Sequence, residues 1–315
     1  MKKLRLSVVV PCYNEEKVIE QTYQRLKKVL KDLKIHYELI FINDGSKDNT
    51  LYILENLSKK DKQVKGISFS RNFGHQSAVS AGLEFAKGDY VIIIDADLQD
   101  PPEEIPHMLE LAIKENANVV YGVRKERKGE TFFKKITASL FYRILNFLSD
   151  VPLPLNTGDF RLIDKQVLEN YKKLPEKNKY IRGLISWLGF KQIPYYYVRE
   201  PRFAGETKYP LSKMVKFATT ALLYFTKKPL KMATSIGFLS ILLGIVLTFY
   251  VFGSLLLKPN QTVSGWASTI IIIIFFGGVQ LLTIGVMGEY IGSIFEEIKN
   301  RPMYIIEKTY NLKRK

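Results

Sequence analysis

Two long stretches without a charged residue, Met232–Leu257 and Pro259–Gly288, constrain this 315-residue chain more than any other feature. Each exceeds the roughly 20 residues an α-helix needs to cross a bilayer. The core helix of a soluble protein can be as apolar, but two such stretches in succession leave too little domain to bury them. They read as two transmembrane helices, at about Ser235–Leu257 and Trp266–Gly288, forming a C-terminal hairpin. Lys227, Lys228 and Lys231 precede the first, and Lys299, Arg301, Lys308, Lys313, Arg314 and Lys315 follow the second; the loop between them carries Lys258 alone. Because cations stay preferentially on the inner side, a multi-pass cell-membrane protein is expected, with both termini in the cytoplasm. Residues 1–209 then form a cytoplasmic domain, 210–231 an amphipathic juxtamembrane segment, 232–290 the hairpin and 291–315 a basic cytoplasmic tail.

The juxtamembrane segment mixes Leu211, Met214, Phe217, Leu222 and Phe225 with Lys213, Lys216, Lys227 and Lys228, a pattern suited to an interface where cations meet lipid phosphates. With 47 Lys and Arg against 31 Asp and Glu, the net charge of +16 asks for an anionic partner. Nucleic acid would satisfy the charge but not the apolar hairpin, so no nucleic-acid partner is expected. The single cysteine, Cys12, forbids an intrachain disulfide. The run Leu6–Val10 is too short for a signal-peptide core and ends at Pro11, so it reads as a buried strand.

Before the hairpin, short apolar runs (Ser7–Val10, Glu38–Ile42, Val64–Ser68, Tyr90–Ile94, Asn118–Tyr121) alternate with helical patterns (Glu16–Leu33, Asn49–Lys60, Gln76–Ala86, Glu103–Glu115). That order predicts an α/β fold with a mostly parallel sheet flanked by helices. Ligands of such sheets bind beyond the carboxyl ends of the strands, and polar clusters stand there: Pro11–Glu15, Asn43–Ser46, Arg71–Gly74 and Asp95–Pro102. No Gly-x-Gly-x-x-Gly turn follows the first strand and no Gly-Lys-Ser/Thr phosphate loop occurs, which disfavours dinucleotide oxidoreductases and P-loop enzymes.

Asp95 and Asp97 lie two apart in a chain leaving a strand and so point the same way. Converging carboxylates call for a cation, and Mg2+ or Mn2+ shared with substrate phosphates fits oxygen ligands; Gln99 can add a neutral oxygen. A solvated acidic turn capping the next helix is the plainer alternative. Asp44 can accept from a nucleobase N–H or serve as a turn former before Gly45. Asp159 and Arg161 either pair as a salt bridge or divide between orienting or deprotonating an acceptor and holding phosphate. Arg124 and Arg127, and Arg202 and Lys208 ahead of the basic segment, add cations where an anionic lipid head would enter.

Together these motifs, with Gly158–Arg161 and Arg202–Tyr209, resemble the family-2 inverting glycosyltransferases, within them the branch of polyprenyl-phosphate (bactoprenol) glucosyltransferases and dolichol-phosphate mannose synthases. The resemblance runs from about Ser7 through the hairpin, and the two C-terminal helices favour the bactoprenol members. It implies a GT-A-like nucleotide-binding sheet, with Pro11, Tyr13, Glu15 and Asp44 around base and ribose. It further implies Asp95, Asp97 and Gln99 at the metal (Asp95 also on the donor), Asp159 as catalytic base, and Arg202 and Lys208 on phosphates. Thr207 stands where many relatives carry serine, keeping the hydroxyl. The implied reaction moves a hexose, UDP-glucose being the first donor expected, onto undecaprenyl phosphate. Alternatives are a processive polysaccharide synthase, disfavoured by the small number of membrane helices, and a non-enzymatic membrane-tethered nucleotide-sugar sensor. Helix packing in the hairpin leaves room for a homo-oligomer.

Overall fold

A computed structural model describes residues 4–125, 157–177, 179–201, 228–257 and 265–312. They divide into two compact units, one made of the residues before the apolar stretches together with the C-terminal segment, the other containing the two long helices. Of the expected juxtamembrane segment, residues 210–227 lie outside the described residues, as do Arg127, Arg202 and Lys208.

The first unit is built on an eight-stranded sheet of order β7-β5-β6-β4-β1-β2-β3-β8. Its strands are β1 (Arg5–Cys12), β2 (His36–Asn43), β3 (Val64–Phe69), β4 (Tyr90–Ile93), β5 (Val119–Arg124), β6 (Thr157–Asp164), β7 (Gln192–Tyr197) and β8 (Ile306–Tyr310). The central strands β3, β2, β1 and β4 are parallel, each joined to the next by a helix: α1 (Ile19–Asp32), α2 (Thr50–Lys60) and α3 (His75–Phe85). Their apolar runs are buried on both faces, from Leu6 through Cys12 and from Leu39 through Ile42, as a covered parallel sheet requires. Helix α1 repeats apolar residues at helical spacing, burying Ile19, Tyr23, Leu26 and Leu30 on one face.

After β4, a short 3-10 turn (Pro102–Glu104) and α4 (Ile105–Lys114) lead to β5, followed by β6, α5 (Lys165–Lys173), α6 (Ile181–Trp187) and β7. Strand β6 inserts antiparallel between β4 and β5. Its inversion matters for the site, because it brings the start of β6 to the rim where the parallel strands end. The pairing sets Ile93 opposite Arg161; continued two residues further, the register sets Asp95 beside Asp159.

The second unit holds α7 (Lys228–Leu257) and α8 (Trp266–Ile298), which pack against each other, Gly244 facing Phe276. Large apolar side chains such as Phe238, Phe249, Leu281 and Phe295 are exposed along them. Among the described residues, one stretch, Phe275–Ile298, is long and apolar enough to cross a membrane, and Leu230–Val246 is a shorter apolar stretch. Helix α8 continues ten residues beyond the expected end at Gly288, because Glu289, Glu296 and Glu297 are good helix formers. It stops at Asn300, whose φ of +50° is the left-handed conformation common just past a helix end. The stretch expected as a basic tail contains the end of α8 and β8, which pairs antiparallel with β3: unpaired N–H and C=O groups at a sheet edge take up an available extended segment.

Candidate active site

At the rim formed by the ends of β1, β2, β3 and β4, two loops interlock. Asn14 takes φ +54° and its N–H donates to Ser46 Oγ at 3.0 Å; Glu15 N–H donates to Thr50 Oγ1 at 2.8 Å; Asp48 accepts from the N–H groups of Glu16 and Thr50, both at 3.0 Å. These bonds fix Tyr13 and Glu15 beside the turn after β2. Pro11 sits inside β1, buried, one residue before its end.

Asp44 is buried and already well used. Its carboxylate accepts from Phe73 N–H at 2.7 Å, Gly74 N–H at 3.0 Å and Asn72 Nδ2 at 3.0 Å. Burial raises its pKa above the ordinary value, opposed by those N–H bonds and by the His75 and Arg71 charges. A carboxylate has about four lone-pair sites, so the structure spends most of Asp44 on the loop that follows β3. The next residue, Gly45, has φ +62°, and a Cβ there would lie 2.3 Å from the Arg71 carbonyl carbon. The Arg71–Gly74 loop therefore crosses directly over the turn after β2.

That loop delivers His75 to the first turn of α3, where its Nε2 lies 2.9 Å from Asp159 Oδ2 and 3.8 Å from Asp95 Oδ1. The other oxygen of Asp159 accepts from Arg182 Nε of α6 at 2.6 Å, and Arg182 Nη1 also donates to the Thr157 carbonyl at 2.8 Å. Asp159 is thus clamped between two basic groups. Burial alone would raise its pKa, but the Arg182 charge and the His75 bond hold it well below the usual carboxylate range. Burial likewise opposes charge on His75, yet the Asp159 bond and the Asp95 charge lift it to about 9, making it an imidazolium at neutral pH. Asp95 is pushed up to about 6 by burial against the pull of His75, with Asp100, Asp159 and Asp97 repelling its charge.

Asp95, Asp97 and Gln99 lie in the turn after β4, where Asp97 accepts from Gln99 N–H at 3.2 Å. Fully buried Asp100 accepts from Tyr197 Oη at 2.5 Å and pairs with Arg199 at 3.4 Å; the Gln99 carbonyl accepts from Glu200 N–H at 2.9 Å. The turn is thereby pinned to the exit of β7. Among the described residues, no group of three or more His, Cys, Asp or Glu side chains is arranged to hold a metal ion alone. The donor set suits an open site, in which Asp95 and Asp97 share a divalent cation with substrate oxygens, because such cations keep several positions for phosphate and water. A cation there would offset both the burial of the Asp95 charge and the weaker repulsion from Asp100, Asp159 and Asp97.

Of the expected phosphate ligands, Arg161 is buried on β6 beside Asp159, with Nη2 donating to the Gly158 carbonyl at 3.3 Å, and burial lowers its pKa to about 10. The Arg124 guanidinium lies across Gly158, where a Cβ would meet Nη2 at 2.7 Å. His75 and Arg182 belong to the site although no motif names them. His75 directly follows the Arg71–Gly74 cluster at a strand end, so the same rim rule points to it. Nothing in Tyr180–Trp187 marks Arg182.

The rim of this mixed sheet thus sets Asp159 against a protonated His75 and against Arg182, with Asp95 3.8 Å from the same histidine. Residues 7–172 match glycosyl transferase family 2, and the chain belongs to that family; it is a glycosyltransferase with a GT-A-like α/β fold. It is 52% identical to an uncharacterised glycosyltransferase of Bacillus subtilis (strain 168), over 100% of this chain and 97% of that one. To an uncharacterised glycosyltransferase of Synechocystis it is 43% identical, over 98% and 96%. It is also 41% identical to the SfII prophage-derived bactoprenol glucosyl transferase of Shigella flexneri, over 98% and 99%.

Proposed function

We propose that this enzyme transfers a hexose from a nucleotide-sugar, UDP-glucose first among candidates, to the phosphate of a polyprenyl lipid, with inversion, at the cytoplasmic face of the membrane. The observation that carries the reading is the Asp159 carboxylate, clamped by His75 and Arg182 beside Asp95 at the sheet rim. The acceptor class is taken from full-length likeness to proteins named bactoprenol glucosyl transferase.

The acceptor oxygen attacks the anomeric carbon opposite the departing nucleoside diphosphate. A phosphate monoester has a second pKa near 6, so it arrives largely deprotonated and needs little from a base. The sequence left proton removal and orientation both open for Asp159; a carboxylate whose oxygens face two cations is a poor base, which favours orientation. His75 and Arg182 fix its position, while Pro11, Tyr13, Glu15 and Asp44 shape the donor end. A Mg2+ or Mn2+ ion held by Asp95 and Asp97, with Gln99 nearby, would offset the negative charge growing on the leaving diphosphate. Arg124, Arg161, Arg202, Lys208 and Arg127 supply cations for the acceptor phosphate.

A two-crossing membrane hairpin suits this reading. Strand β8 belongs to the same sheet as β3, which supports an even number of crossings between that sheet's earlier strands and β8. The cations flanking both helices point the same way. The test offers purified enzyme undecaprenyl phosphate with a panel of nucleotide-sugars and weighs the lipid product by mass spectrometry. A lipid heavier by one hexose, formed with one donor, is expected; unchanged lipid with every donor refutes the proposal.

A further inference from the structure

The segment after α8 contributes more than an edge strand. Its Tyr304 ring stacks on Phe69 with centroids 4.9 Å apart and planes 13° from parallel, and its hydroxyl donates to Glu84 of α3 at 2.5 Å. The Ile305 carbonyl accepts from Ser70 N–H at 3.1 Å, at the first residue of the loop leaving β3. Phe69 in turn meets Phe73 edge-on at 5.8 Å, and the Arg71 guanidinium covers the Phe73 ring at 4.1 Å. Phe73 N–H is the shortest of the bonds on Asp44, and the loop then starts α3 with His75. A continuous path of packed rings and hydrogen bonds thus runs from Tyr304 to the carboxylate at the donor end. Farther along, Asn311 anchors the strand independently, donating to the carbonyls of Ser58 at 2.6 Å and Val64 at 2.8 Å.

We infer that Tyr304 is a positioning residue of the donor site: it holds the Arg71–Gly74 loop, and through it Asp44, in the geometry that binds the nucleotide-sugar. The inference rests on the donor reading above. It makes the segment beyond the long helices a working part of the site formed by the first hundred residues. Edge strands take up extended segments for stability alone, but the Tyr304 ring packs on Phe69, the last residue of β3, and its hydroxyl reaches Glu84 of α3, side-chain contacts that the β3–β8 backbone ladder does not require. Removing the ring leaves Phe69 uncovered and frees Phe73 to turn, so Asp44 loses its best-placed donor.

The experiment uses the full chain in detergent or nanodiscs, with Tyr304→Ala, Tyr304→Phe and, as a control on strand attachment, Asn311→Ala. Tyr304→Ala is expected to raise the KM for the nucleotide-sugar about tenfold while kcat stays within about threefold. Tyr304→Phe, which keeps the stack and loses the Glu84 bond, gives a smaller rise, and Asn311→Ala leaves the donor KM near wild type. In an Asp44→Asn background Tyr304→Ala adds little, because residues acting through one network are non-additive. Hydrogen exchange read without any donor separates failure of this inference from failure of the donor assignment: the Phe73 and Gly74 amides exchange faster in Tyr304→Ala. Unchanged exchange at those amides overturns the inference. So does an Asn311→Ala enzyme with the same KM rise, which reduces Tyr304 to a strand anchor, or full additivity with Asp44→Asn.

Discussion

Replacing Gly45 by alanine tests the crossing of two loops on which the donor end depends. The new side chain meets two costs. An L-residue at φ +62° loses about 1–2 kcal/mol to steric conflict between Cβ and backbone. The Cβ would also stand 2.3 Å from the Arg71 carbonyl carbon and 2.5 Å from Asn72 N, where ordinary contact begins near 3.4 Å, so the loop must retreat by about an ångström. That motion takes Asn72, Phe73 and Gly74 off the buried Asp44. A hydrogen bond to a charged group contributes about 1.5–3 kcal/mol, and losing one brings the total to about 2.5–5 kcal/mol. With a urea dependence of about 2 kcal/mol per molar, the unfolding midpoint followed by tryptophan fluorescence drops by about 1.2–2.5 M. Gly45→Asn separates the terms: asparagine accepts the left-handed backbone more readily but carries the same Cβ, so it loses nearly as much if the loop crossing dominates. A Gly45→Ala midpoint within about 0.3 M of wild type would refute the reasoning.

Asp159→Asn is expected to reduce turnover about 100-fold or more, the scale of a misplaced reactant, by the same factor from pH 6.5 to 9; recovery at the alkaline end would establish proton removal instead. Alanine at Asp95 or Asp97 should abolish turnover that chelation of divalent ions also abolishes, and a fully active, metal-dependent Asp95→Ala or Asp97→Ala enzyme would remove that residue from the cation site. Glu38, buried at the opposite ends of the strands, bonds Ser7 Oγ at 2.5 Å, Arg5 at 2.9 Å, Lys87 N–H at 2.9 Å and Lys65. Burial opposes its charge, yet Lys65 and these donors hold its pKa below the ordinary 4.5. Glu38→Gln should therefore cost about 2–4 kcal/mol at pH 7, discounted from the full buried-pair penalty because Arg5 is 41% exposed. The stabilisation is complete above about pH 4.5 and fades as pH falls through the lower folded value, so the gap between variant and wild type, measured by urea unfolding, narrows on acidification; a gap that widens would contradict the assignment.

The parallel half of the sheet was legible because its strands are buried on both faces and read as unbroken apolar runs; β1 to β5 and α1 to α4 lie where the pattern places them, within a few residues. Strands β6, β7 and β8 escaped for physical reasons. In β6 the apolar run is interrupted by Asp159 and Arg161, which face the site rather than the core. Strand β7 carries Pro194, which edge strands tolerate, and β8 alternates Ile306 with Glu307 and Lys308, a charged edge with little apolar signal. At the site, chain position alone located the carboxylates, since strand ends define the rim. Their partners were hidden because an ion pair such as Asp159 with Arg182, 23 residues apart, depends on how α6 packs. The three donors on Asp44 come from the loop after β3, about thirty residues away, a use that its neighbours in the sequence do not announce.

The most direct measurement is transfer of radiolabelled glucose from UDP-glucose to undecaprenyl phosphate in proteoliposomes, run in parallel with wild-type and Arg182→Gln enzyme. Labelled glycolipid formed by wild type and reduced at least tenfold in the folded variant is the expected result, since Asp159 then loses one arm of its clamp. Equal labelling by both enzymes would contradict the role given to the clamped carboxylate.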